Sequence, residues 1–337
     1  MYDMPAEIDV AADGPLRIVT LNRPDALNAV NDALHTGLAR LWPRISEDCD
    51  ARAVVLTGAG RAFCAGGDFS YLRELSGDPG LRARTIAHGR DLVLGMARCR
   101  VPVVAAVNGP AVGLGCSLVA LSDVVYIAPG AYLADPHVQI GLVAADGGPL
   151  TWPLHTSLLF AKEYALTGAR IPAARAVEMG LANHVADDPV SDAISCAKRI
   201  AGLPRQAVES TKRVLNLQLE RAVLASLDFA MTAEEQSFST PDFRAIVARL
   251  TEGKTAPLAP LASLLLRVLR PGMLRVWPLA PLLPGLWPPT PEPRHTASHC
   301  RLGSPPPRAV GKADCLTGPR QASEGEAKGG IYAEGAN

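Results

Sequence analysis

Four short runs, at residues 16–21, 53–57, 103–107 and 124–127, constrain this chain more than any other feature. Each has strand length and β-branched content, and each is followed by Gly, Asn or Asp. Between them lie stretches with helical spacing. Over residues 29–45, Val30, Leu34, Leu38, Leu41 and Ile45 fall on one stripe, and over 83–99 Ile86, Leu92, Val93 and Met96 repeat the pattern. Apolar runs alternating with amphipathic helices predict an α/β fold of successive sheet-and-helix turns.

Beyond residue 172 the pattern becomes helical, at 173–179, 193–201, 206–219, 222–236 and 241–250, as a cap or an oligomerisation element would be. Residues 257–337 differ again. They hold 14 of the 29 prolines, a density that forbids regular helices and predicts a disordered Pro-rich tail. Proline and arginine interrupt the apolar stretch 258–287, so no run approaches the ~18 apolar residues of a membrane span. Three parts are expected: a core over 1–195, a helical region over 196–256 and the tail over 257–337.

A hydrophobic content of 48% supports a large core. Lys+Arg and Asp+Glu both number 33, so net charge offers no attraction for nucleic acid or an anionic membrane, and a small-molecule ligand is the expectation. The seven cysteines lack zinc-site spacing and read as buried thiols in a reducing compartment. The acidic N-terminus has neither the cationic start nor the apolar run of a signal peptide, so a cytoplasmic location is expected.

Chemistry concentrates in three turns. Leu21-Asn22-Arg23-Pro24-Asp25-Ala26-Leu27-Asn28-Ala29 leaves a strand for a helix, Gly60-Arg61-Ala62-Phe63-Cys64-Ala65-Gly66-Gly67-Asp68 comes after the second strand, and Asn108-Gly109-Pro110-Ala111-Val112-Gly113-Leu114-Gly115-Cys116 leads into an apolar helix at 117–121. Small residues let a ligand approach the main chain, and a helix start offers amides without internal acceptors. Two such loops facing each other could hold one oxygen from two sides.

In this order the three motifs resemble the crotonase superfamily, the enoyl-CoA hydratase/isomerase family, and the resemblance runs over residues 16–255. It implies a crotonase-like spiral of ββα repeats, with C-terminal helices that assemble a homotrimer or hexamer. It also implies an acyl-CoA thioester substrate, its carbonyl held by the Gly67 and Leu114 amides as an oxyanion hole. Ala26, Leu27, Ala65, Asp68 and Phe69 fall where the family lines the CoA channel, and Arg23 is a neighbour for the phosphates. The resemblance implies no metal or redox cofactor, since CoA arrives with the substrate.

The family's two hydratase glutamates are replaced, by Ser117 at the first position and His137 at the second. A serine cannot take up a proton near neutrality, although it can orient a water or simply bond to local backbone. A histidine of ordinary pKa, about 6.5, suits proton transfer. Asp146 stands nine residues on and is the expected partner that orients the imidazole, with Asp135, next to Pro136, read as structural. Cys64 and Cys116 read as packing residues.

These residues are compatible with three functions. The leading one is hydration or double-bond isomerisation of an enoyl thioester, with His137 moving the proton or activating water. The others are hydrolysis of a C–C bond in a β-dicarbonyl compound by a His–Asp pair, and acyl-CoA binding without catalysis.

Overall fold

The computed structural model describes residues 2–252, so the tail expected over 257–337 lies outside the described residues. Strand β1 (Ile8–Asp13) turns at Gly14, φ 56°, and returns antiparallel as β2 (Leu16–Leu21). From β2 the sheet continues parallel through β3 (Ala53–Gly58), β4 (Val103–Val107), β6 (Val124–Ile127) and β9 (His184–Val185). A second sheet joins β5 (Ala111–Val112), β7 (Tyr132–Ala134) and β8 (Ile171–Pro172). The first strand is not among the four expected: one face of β1 is exposed, so IDVAAD lacks an apolar run.

Both β3 and β4 are buried along their whole length, as parallel strands covered on both faces must be. Alternation divides their side chains. Val54, Leu56, Val103 and Ala105 pack with Leu34, Leu38 and Trp42 of α1 (Asp32–Glu47) and Leu92 and Met96 of α3 (Pro79–Arg98). Val55, Val104 and Ala106 meet Ala193, Cys196 and Ala197 of α8 (Pro189–Ala201) on the other face. The boundary expected at 195/196 falls inside α8, whose residues belong to the sheet's packing.

Helix α1 starts three residues later than its stripe suggests. Leu27 and Asn28 have φ of 52° and 56°, which no right-handed helix contains, and Asn31 caps the helix by accepting from Leu34 N at 2.9 Å. The two C-terminal helices expected at 206–219 and 222–236 are one, α9 (Arg205–Ser237), because no Gly or Pro interrupts it. It lies against α3 and α5 (Gly148–His155) through Val223, Leu227, Ala230 and Met231. Lys212 ties it down, donating to Asp123 Oδ2 at 2.6 Å and to the Val101 carbonyl at 2.8 Å.

Helices α4 (Leu114–Ala120) and α7 (Ala173–Glu178) flank the second sheet, and α6 (Leu158–Thr167) packs on α5. Finally α10 (Pro241–Glu252) brings Phe243 and Val247 onto Leu72 and Leu75 of α2 (Phe69–Gly77), with Ile140 and Leu142 in the same cluster. These layers give the α/β spiral expected, with a helical C-terminal region. Among the described residues no helix is long and apolar enough to cross a membrane.

Candidate active site

The motif asparagines are structural clamps. Asn28, in the left-handed conformation that Asn tolerates, donates from Nδ2 to the carbonyls of Ala59 and Ala62, both at 2.9 Å. Asn108 grips the same loop from the other side, donating to Gly58 O at 2.9 Å and Gly60 O at 3.0 Å. Main-chain bridges fix the rest of the loop: Val30 N donates to Gly66 O (2.8 Å), Asp68 N to Val30 O (2.9 Å), and Val112 N to Cys64 O (2.9 Å).

This ladder bypasses two amides. Among the described residues neither Gly67 N nor Leu114 N donates to a protein acceptor. Leu114 opens α4, and Gly113 before it, at φ 54° and ψ −123°, adopts a conformation open to glycine alone. Gly67 and Leu114 line one cavity, together with His137, Asp146 and Glu234.

His137 begins a 3-10 turn (His137–Ile140) directly after β7. Its ring packs against the oxyanion turn, since a Cβ on Gly113 would lie 3.5 Å from His137 Cε1. The expected partner is Asp146, but the imidazole Nδ1 donates to Asp135 Oδ1 instead. The reason is local: Asp135 directly follows the strand, its side chain is wholly buried, and the turn at Pro136 brings the His137 ring to it. Burial by itself would lower the His137 pKa. Asp135, aided by Asp146 and Glu234, outweighs that and raises it to about 10. His137 is therefore an imidazolium at neutral pH, unlike the near-neutral histidine the sequence suggests.

Asp146 pairs with Ser117, accepting from Oγ at 2.8 Å. That hydroxyl also lies 3.3 Å from the Gly113 carbonyl, so Ser117 joins the local backbone to the site. Burial holds the Asp146 carboxyl above the ordinary range, with Asp135 adding to the effect and the His137 charge opposing it. Two glycines make room for this: a Cβ on Gly147 would stand 2.5 Å from Ser117 Oγ, and one on Gly148 would collide with Asp135 Oδ2.

Glu234 is not anticipated by any motif. It comes from α9, about 100 residues downstream of His137, and is buried in the same cavity. Its carboxyl makes no hydrogen bond or ion pair with the described residues, and burial, reinforced by Asp146, pushes its pKa up to about 8. No sequence signal separates it from its neighbour Glu235; only the packing of α9 selects it. His35, Tyr71 and Thr85 also line the cavity, with Tyr71 Oη and Thr85 Oγ1 2.6 Å apart. Burial lowers the His35 pKa to about 4, so it is neutral there.

Arg23 and Asp68, expected near the CoA, engage each other: both Nη atoms stand 3.1 Å from Asp68 Oδ2, and Arg23 Nη1 donates to the Ala29 carbonyl. Asp68 also caps α2, accepting from Ser70 N at 3.0 Å. Ala26 lies in the turn beside Leu27, whose carbonyl accepts from Ala65 N at 3.0 Å, and Phe69 packs with Tyr71 and Leu72. None of these six residues lines the cavity of Gly67 and Leu114. Cys64 and Cys116 are buried, and burial drives both thiols up, that of Cys64 to about 12, which leaves them inert. Cys49, however, is exposed.

A family model described as enoyl-CoA hydratase/isomerase matches residues 13–257. A solved structure titled an enoyl-CoA hydratase/isomerase from Mycobacterium paratuberculosis is 78% identical, with a TM-score of 0.74, and covers 74% of this chain and 100% of that one. The "Probable enoyl-CoA hydratase EchA14" of Mycobacterium tuberculosis is 35% identical over 248 residues, 71% of this chain and 95% of its own. A mitochondrial enoyl-CoA hydratase of Pongo abelii is 31% identical over 241 residues, 71% of this chain and 82% of its own. The free amide pair, the asparagine-clamped loops and these likenesses agree, and the chain belongs to the enoyl-CoA hydratase/isomerase family of the crotonase superfamily.

Proposed function

We propose that this protein forms and quenches the enolate of an acyl-CoA thioester, as a lyase that hydrates an enoyl thioester or an isomerase that moves its double bond. The observation that carries the reading is the pair of acceptor-free amides, Gly67 and Leu114, in one cavity with the His137 imidazole that Asp135 holds. The thioester oxygen sits between the two N–H groups, and the negative charge that develops there is stabilised without reorganisation. Removing one such donor costs about 10²–10³ in rate. His137, held by Asp135, adds a positive charge beside this hole and presents Nε2–H to the attacking water or to a substrate oxygen. Ser117 keeps Asp146 in place. In this reading the Arg23–Asp68 pair, with Ala26, Leu27, Ala65 and Phe69, shapes the approach for the CoA, and the exposed Leu158, Leu159 and Leu166 of α6 and Phe229 of α9 meet other copies in a homotrimer.

Loss of enoyl-thioester absorbance with crotonyl-CoA and longer 2-enoyl thioesters tests the reaction. Turnover lowered by about 10²–10³ in Gly113→Ala supports it. The absence of hydration, isomerisation and thioester α-hydrogen exchange sinks it.

The observed His137–Asp135 pair favours one second reading, hydrolytic cleavage of a C–C bond in a β-dicarbonyl compound with the same oxyanion hole. Mass spectrometry separates the two, since cleavage splits the carbon skeleton and hydration leaves it whole.

A further inference from the structure

The cavity is lined by two imidazoles, those of His35 and His137, and by two carboxyls, those of Asp146 and Glu234, of which only Glu234 is without a protein partner among the described residues. We propose that Glu234 is the acid–base residue of this site, taking and returning the proton at the carbon next to the thioester carbonyl. The proposal rests on the thioester reading above and assigns the step that the two missing glutamates leave open.

Elimination supports it. Asp135 does not line the cavity, its Oδ1 being held by His137 and its Oδ2 buried, and Asp146 Oδ1 accepts from the Ser117 hydroxyl at 2.8 Å. With its pKa raised to about 10 by Asp135, His137 keeps its proton near neutrality, and His35, lowered by burial to about 4, is the weaker base of the two lining groups His35 and Glu234. The Ser117 hydroxyl is far too weak a base. Glu234 faces this cluster from α9, and its carboxyl lines the cavity unclaimed by any described residue, free to meet a ligand. The groups that face it are Asp146 and Asp135, which favour its neutral form, and His137, which opposes them; neutral His35 from α1 and Tyr71 from α2 line the same cavity. With a pKa near 8, it exchanges a proton close to working pH, where acid–base catalysis is most effective.

In hydration, water forms a bond to C3 while the C2–C3 π pair moves to give the enolate held by Gly67 and Leu114. The Glu234 carboxylic acid then delivers its proton to C2. The proton released by the attacking water restores the acid, so one water is added and nothing else is consumed. In reverse, the carboxylate removes the C2 proton.

Loss of deuterium to water from C2-deuterated butyryl-CoA isolates that step. The wild type is expected to exchange, with a rate rising about 50-fold between pH 6 and pH 8 as Glu234 ionises. Glu234→Gln is expected to slow exchange by at least about 10²-fold while binding butyryl-CoA with unchanged affinity in calorimetry. Exchange in Glu234→Gln within tenfold of wild type overturns the assignment and leaves the thioester reading intact. If the variant does not fold, a wild-type profile flat between pH 6 and pH 8 overturns it equally. A wild type that neither exchanges C2 nor hydrates crotonyl-CoA strikes the thioester reading itself.

Discussion

The two halves of the site are built on opposite principles. The oxyanion side is backbone: Gly67 and Leu114 present amides, and the side chains around them, Asn28 and Asn108 among them, hold loops in place. The acid–base side is all side chain, and its members come from the end of β7, the turn after it, the loop before α5 and the far end of α9. A backbone site depends on local conformation, whereas a side-chain cluster depends on how distant elements dock. The first is therefore brittle to glycine replacement, and the second to loss of one charge.

Breaking the backbone half should have the largest effect. Gly113→Ala leaves ordinary space for the new methyl, 3.5 Å from His137 Cε1, but φ 54° and ψ −123° suit no L side chain. The peptide is expected to rotate, turning the Leu114 amide away and lowering kcat by about 10²–10³. An unchanged kcat would mean that this amide holds no oxyanion.

Asp135→Asn attacks the other half through its internal pairing. Activity should fall by about 10², the lower end for a positioned acid or base, and the His137 pKa should drop toward its ordinary value, readable by NMR titration of the ring. The same pair sets the pH dependence of stability. His137 and Glu234 both have raised pKa values in the fold, whereas His35 is lowered to about 4 and opposes them only up to about pH 6.5, so above that pH the native state binds more protons than the unfolded chain and stability falls as pH rises. The His137 share is complete below about pH 6.5 and lost through about 10, and the Glu234 share is lost from about 4.5 through about 8. Thermal melts should show Tm declining from pH 6.5 to 10 in the wild type and a flatter decline over the same range in Asp135→Asn. Equal slopes would separate His137 from Asp135.

Ser117→Ala removes the donor to Asp146 and leaves a buried carboxylate oxygen unpaired, at a cost of about 1–3 kcal/mol in chemical denaturation. An unchanged denaturation midpoint would show that Asp146 finds another partner. The smallest effect is expected at the rim, where Arg23→Gln breaks the partly exposed pair with Asp68. A loss of about 1 kcal/mol or less in stability, with KM for the CoA thioester rising more than kcat falls, would fit a residue that shapes the approach. A kcat effect matching that of Gly113→Ala would place Arg23 in the chemistry.

Legibility in the sequence divides along the same line. Strands 103–107 and 124–127 are found where their apolar runs lie, and the three turns occupy the places their spacing implies. Helix limits are less legible: the left-handed Leu27 and Asn28 delay α1, and the two helices read beyond residue 205 are one. Within the site, His137 is visible through its motif position. Its partner is not, because Asp135 and Asp146 both stand close to it along the chain and only the fold of the turn at Pro136 chooses between them. Glu234 carries no visible sign at all.

What the sequence by itself determined is the scaffold of local features: continuous apolar runs that must be covered on both faces, glycines where the backbone turns left-handed, and asparagines that close the loops between them. Each is marked by residue types at fixed spacing within one strand-turn-helix unit, which can be read from the sequence, although the carbonyls that Asn28 and Asn108 clamp belong to a loop 31 to 50 residues away. The tertiary structure alone decided the charge chemistry. Only the docking of α9 against α3 and α5 carries Glu234 to the cavity, and only the buried Asp135 beside it raises the His137 pKa against the effect of burial, because desolvation and Coulomb attraction act through space and leave no periodic trace in the chain.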